Sequence, residues 1–167
     1  STADPEEYVR SVYWPNHHRG SLDLMAVLAT DNFNRADSGD LGANWDVQTG
    51  EAAFSISSNT AIPTSLASDS SENYNAVAWP DNQYSEAVIS AVSGGTGADD
   101  GIGTVTRCAT AARTYYRAVG QVTGIDSTFL AKRVAGTYTR LAASATTWAA
   151  NDVIRCESNG STQRLLK

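Results

Sequence analysis

The chain has 167 residues, enough for one domain with an appended segment and a real hydrophobic core. Charged residues are only 18% against 41% hydrophobic, which excludes a disordered chain or a long solvated helix. A net charge of −6 would repel a polyphosphate partner, so nucleic acid is not expected as a ligand.

The first 25 residues read differently from the rest. Asp4 is placed to cap a short helix, Pro5 suits its first turn, and Glu6 and Glu7 sit near the positive end of its dipole. Tyr8, Val9 and Val12 fall on one stripe, and Pro15 ends the pattern. His17 and His18 are adjacent and would point apart on a strand, so no shared metal is expected there. Met25, the only methionine, reads as the natural start of a domain. Residues 1–25 are then an arm or linker, and residues 26–167 the domain proper. Tyr8, Tyr13 and Trp14 make the arm aromatic enough to dock on a partner chain, a disordered tail being the alternative.

From Asp31 onward the spacing is that of strands. Trp45 opens the first, after the turn-rich Ser38-Gly39-Asp40-Leu41-Gly42. Glu51 to Ser57 alternates, with Phe54 and Ile56 on one side, and Ser58-Asn59 turns the chain into Thr60 to Ile62. Tyr74 to Trp79 is predicted as the next strand, closed by Pro80. In Tyr84 to Val92, Ala87 and Ile89 share one face while Tyr84, Glu86 and Val88 share the other. A Gly-rich turn precedes Ile102 to Cys108, and an Ala/Thr turn leads to Arg113 to Val119. Thr128 to Val134 and Thr137 to Ala142 form a hairpin about Ala135-Gly136. Val153 to Ser158 reverses at Asn159-Gly160 into Thr162 to Lys167. About ten short strands with turns every eight to twelve residues predict an all-β, antiparallel β-sandwich. Cys108 and Cys156 read as small buried residues, a bridge being the alternative. No apolar run approaches the ~20 residues of a membrane span.

Several of these stretches carry a resemblance. Asp31-Asn32-Phe33-Asn34-Arg35-Ala36-Asp37 with Asn44-Trp45, the run Gly94 to Gly103, Tyr115-Tyr116-Arg117, and Leu130 to Thr137 resemble the laminin-G-like, concanavalin A-like jelly rolls. The resemblance covers residues 26–167 and implies a jelly-roll sandwich of a kind found in bacteriophage structural proteins and bacterial secreted proteins. It implies a virion or extracellular, cell-surface location. In that family further strands follow the last hairpin, so the chain is expected either to be a fragment or to be completed by a neighbour's strand at an open sheet edge.

The hydrolases of this sandwich class carry paired carboxylates on one strand, aimed at one side. No single strand here does so: Glu86 has no acid at the right spacing, and Glu157 lies five places after Asp152, on the opposite face. The chain is therefore expected not to be an enzyme, with a glycoside hydrolase as the remote alternative. A sugar site would need an aromatic platform with polar neighbours, for which Trp79, Tyr84, Arg107, Tyr115, Tyr116 and Trp148 are the candidates. Asp31, Asn34, Asp37, Asp99 and Asp100 offer oxygens for Ca²⁺, although turn and cap hydrogen bonds explain the same residues more cheaply. The expected role is structural or display, with other protein chains of an assembly contacted through the arm and sheet edges; a carbohydrate-binding module of a secreted protein is the alternative.

Overall fold

Period-two alternation between turn residues is the dominant instruction in this sequence, and the structure obeys it. A computed structural model describes residues 27–65, 68–90, 101–121 and 128–167. The arm with Tyr8, Tyr13 and Trp14, the domain start at residue 26, and Asp99 and Asp100 lie outside the described residues. The strands are β1 (Trp45–Val47), β2 (Phe54–Ser57), β3 (Thr60–Pro63), β4 (Glu72–Tyr74), β5 (Gln83–Val88) and β6 (Ile102–Ala109). After a 3-10 turn at Thr110–Ala112 come β7 (Thr114–Gly120), β8 (Thr128–Val134), β9 (Thr137–Ser144), β10 (Val153–Asn159) and β11 (Thr162–Leu166).

All strand pairings are antiparallel, and two sheets dominate. One has the order β11-β10-β5 and the other β6-β7-β8-β9; β1-β4 and β2-β3 are separate ribbons. Alternation along β10 buries Ile154, Cys156 and Ser158 and turns Val153, Arg155 and Glu157 outward. The buried set meets Ala118 of β7 and Leu130 of β8, with Ile89 and Trp148 filling the same core. The molecule is therefore an all-β, antiparallel sandwich. Each large aliphatic side chain sealed in this layer contributes about 1.5–3 kcal/mol.

Small residues make room for the indole. A Cβ on Gly120 would lie 2.7 Å from Trp148 ring atoms, and Ala118 and Cys156 keep the surrounding layer thin. Trp148 Nε1 donates to Thr128 Oγ1 at 2.5 Å, so the buried ring leaves no polar atom unmet. Lys167 Nζ lies 5.1 Å from the same ring and pairs with Asp152 at 2.7 Å, fastening the end of the chain to the core.

The four-stranded sheet is buried on its second face as well. Val119, Phe129 and Ala131 cluster there with Tyr138. The segment between β1 and β4 reaches this face through Glu51 and Asp69, which bind its arginines.

Two strand expectations need correction. The predicted strand Tyr74 to Trp79 is a short β4 ending at Tyr74. Beyond it, Trp79 Nε1 donates to the Tyr74 carbonyl at 2.8 Å, so the segment folds back instead of pleating onward. The last hairpin turns at Gly160-Ser161, not at Asn159-Gly160, because Asn159 still pairs with Thr162. Only Gly160 there has a positive φ, 55°, as a turn with glycine at its first central position requires.

Candidate functional site

Alternation that buries one side of β5, β10 and β11 leaves the other side outward. That outward face carries Tyr84, Glu86 and Val88 from β5, Arg155 and Glu157 from β10, and Arg164 and Leu166 from β11. Cross-strand register sets Arg155 opposite Glu86 on one side and Leu166 on the other. The Arg155 guanidinium is bonded to Glu86 at 2.6 Å and lies 4.3 Å from the centre of the Tyr84 ring. Glu157, opposite Tyr84 and Arg164, reaches the Arg164 guanidinium at 4.0 Å. Val88 and Leu166, 52% and 42% exposed, add apolar surface to this charged and aromatic face.

This arrangement supplies something the strand-by-strand reading misses. Glu86 and Glu157 lie on different strands but share one face, diagonal across the β5–β10 pairing. Each is held by its own arginine. The signal for the pair is the register between distant strands, which a single strand's spacing does not contain.

A second polar constellation is interior. Glu51, its side chain fully buried, accepts from Arg113 Nε at 3.1 Å, from Tyr115 Oη at 3.0 Å, and from Arg133 Nη1. Arg133 also bonds Asp69 at 3.0 Å, and Arg117 lies 3.8 Å from the same carboxylate. Burial, and then the Glu51 charge, push the Tyr115 phenol up, against the opposing pull of Arg133. Cys108 accepts from the Gln48 side chain beside this cluster. Burial pushes its thiol up to about 11, so it stays protonated at neutral pH.

A third group is an aromatic ladder. Phe33, Trp45, Tyr74 and Trp79 follow one another with ring centres 5.9, 5.3 and 6.5 Å apart. Asp31 anchors its start, accepting from the Phe33 amide at 2.8 Å, Arg35 at 2.7 Å, and Trp45 Nε1 at 3.0 Å. Partial burial alone would raise the Asp31 pKa. The hydrogen bonds from Arg35, Phe33 and Trp45 outweigh it and hold the carboxyl below the usual aspartate range.

The sugar-platform candidates are not brought together. Tyr84 is on the outward sheet face, and Trp79, 36% exposed, ends the ladder. Tyr115 and Trp148 are buried, 2% and 3% exposed, and Tyr116 packs against the core between the sheets. Arg107 is a brace: its guanidinium donates to the carbonyls of Asp81 and Gly160 at 2.9 and 2.6 Å. Of the calcium candidates, Asp31 is engaged as described and Asp37 accepts from the Ser58 amide at 2.8 Å. Asn34 is exposed in the Asp31–Asp37 turn, its amide donating to Asn32. Among the described residues no group of three or more His, Cys, Asp or Glu is arranged to hold a metal ion. Cys108 and Cys156 are free thiols. Among the described residues no helix is long and apolar enough to cross a membrane. Comparison with family models, with curated proteins and with solved structures finds no match.

Proposed function

We propose that the chain is a non-catalytic β-sandwich module, of the laminin-G-like, concanavalin A-like jelly-roll kind, with a structural or display role at a virion or cell surface. The outward face of the β11-β10-β5 sheet carries this reading. It sets an arginine-capped tyrosine, two ion-paired carboxylates and two exposed aliphatic side chains on one rigid surface. That mixture of an aromatic, arginines and apolar groups suits contact with a neighbouring protein chain. The carboxylates are engaged by arginines, which supports binding over acid–base catalysis. Sedimentation and native mass spectrometry of the full chain within its assembly test the proposal. Loss of association in the double variant Val88→Lys, Leu166→Lys, with the circular dichroism of the fold retained, is the expected result. Undiminished association in that variant, or a chain that stays monomeric in its native setting, overturns it.

Glycan binding is the second reading, favoured by one observation: Trp79 is displayed at the end of the ladder. An indole face offers a pyranose an apolar platform. Glycan-array binding that disappears in Trp79→Ala supports this reading, and silence across diverse glycans with and without Ca²⁺ removes it.

A further inference from the structure

Asn159-Gly160 is the only Asn-Gly dipeptide in the chain. It sits at an exposed hairpin tip, where a Cβ added to Gly160 would meet nothing within 4 Å. A glycine after asparagine leaves its backbone nitrogen sterically open to the asparagine side-chain carbonyl. Here that nitrogen is already occupied. The Gly160 N–H donates to Asn82 Oδ1 at 2.8 Å, across from the loop that precedes β5. Arg107, reaching from the β6 bulge, holds the Gly160 carbonyl at 2.6 Å. A polar side chain distant in sequence thus blocks the one atom that would react.

We propose that Asn159 is a self-modification site, converting through a cyclic imide to aspartate and isoaspartate, and that Asn82 sets its rate. In the first step the Gly160 nitrogen attacks Asn159 Cγ. A C–N bond forms, the bond from Cγ to the side-chain nitrogen breaks, and ammonia leaves, carrying the proton that the Gly160 nitrogen gives up. In the second step water adds to either imide carbonyl: its hydroxyl goes to that carbon and its hydrogen to the ring nitrogen as the C–N bond opens. Opening at one carbonyl leaves aspartate. Opening at the other routes the main chain through Cγ as isoaspartate. No oxidant, reductant or cofactor is needed. Either product adds one negative charge at the tip. Isoaspartate also lengthens the backbone by one carbon where Asn159 pairs with Thr162, which loosens the end of the β10–β11 hairpin. Asn82 is a positioning residue, acting by keeping the attacking nitrogen hydrogen-bonded.

The test is incubation of the full chain at mildly alkaline pH, followed by peptide mapping of the 156–164 fragment and amide hydrogen exchange. Loss of one ordinary hydrogen bond opens its donor about tenfold more often. Asn82→Ala is therefore expected to convert about tenfold faster than the parent chain, toward the rate of the free peptide 156–164. Asn82→Asp keeps the acceptor oxygen and is expected to restore the slow rate. Asn159→Gln serves as the unreactive control. Exchange at the Gly160 amide should rise in Asn82→Ala while the Cys156 amide stays protected. Equal rates in Asn82→Ala and the parent chain overturn the proposal, as does conversion in Asn82→Asp as fast as in Asn82→Ala. A uniform rise in exchange along β10 also overturns it, because the hairpin is then melting and no specific gate is being removed.

Discussion

Glu51 shows what one buried charge costs and returns in this fold. Its side chain is fully buried, and its Oε1 draws together Arg113 and Tyr115 from around the start of β7 and Arg133 from β8. Glu51 Oε2 has no hydrogen-bond partner among the described residues. Taking the charge away leaves Arg113 without its carboxylate partner and Arg133 with Asp69 alone. Glu51→Gln is therefore expected to lower unfolding free energy by about 3–5 kcal/mol, measured by urea denaturation. A loss under about 1 kcal/mol would mean that Asp69 alone satisfies Arg133. Asp31 is the milder case, because its side chain retains 15% exposure. Asp31→Ala removes the acceptor for Phe33, Arg35 and Trp45 and should cost about 2 kcal/mol. Trp45 fluorescence should report a ladder that has loosened. Residue identity leaves Asp31 a calcium candidate, although its partner Arg35 is only four positions away. It says still less of Glu51, whose partners are 62 to 82 residues away. Tyr115 and Trp148 pass for ligand platforms in sequence for the same reason: an aromatic side chain looks alike whether displayed or buried.

Strands and turns were the most legible elements, because their rules are local. The hairpin about Ala135-Gly136 is readable from the turn dipeptide and its flanking alternation, and both residues have positive φ, 46° and 83°. Glycine takes that conformation freely, whereas alanine is strained by about 1 kcal/mol. Ala135→Gly should therefore stabilise the protein by about that amount less the entropy glycine adds to the unfolded chain, and Ala135→Asn by a similar amount. Thermal melts of the two variants check this; a fall in melting temperature in both would place the Ala135 methyl in a stabilising contact. Gly120 is the opposite case. Its missing side chain is what lets β7 lie against the indole of Trp148, and Gly120→Ala should cost about 1–3 kcal/mol through overpacking. The departures at Tyr74 to Trp79 and at Asn159 have different causes. Alternation does not foretell that the Trp79 indole folds back on the Tyr74 carbonyl five residues away. An Asn-Gly dipeptide is satisfied by more than one register, and the choice falls to contacts with remote residues, such as Asn82 on Gly160.

At the scale of the molecule, layering was legible and coverage was not. Alternation along β5 and β10 foretells which side is buried, but no local pattern says that the β6-β7-β8-β9 sheet is buried on both faces. That second burial is what places Cys108 and Gln48 beside Glu51, and it gives the fold a weakness at alkaline pH. Burial raises the Cys108 thiol from 9.0 to about 11, and burial likewise raises Cys156 in the core. An unfolded chain ionises these thiols near 9.0, while the folded chain holds its protons to higher pH. The protonated Cys108 thiol's contribution to stability is thus fully present below pH 9.0 and is lost as pH rises through about 11, and the raised Cys156 thiol contributes with the same sign. Tyr115, also raised by burial, adds a loss of the same sign that begins above its unfolded value of 10.0. Urea midpoints measured from neutral pH upward should fall across this window. Cys108→Ala has no thiol to ionise, so its midpoint should fall less steeply from pH 9.0 to about 11 than that of the parent chain. Parallel curves for the two proteins would mean that Cys108 meets water in the folded state, and that the segment carrying Gln48 and Glu51 does not seal this face of the sheet.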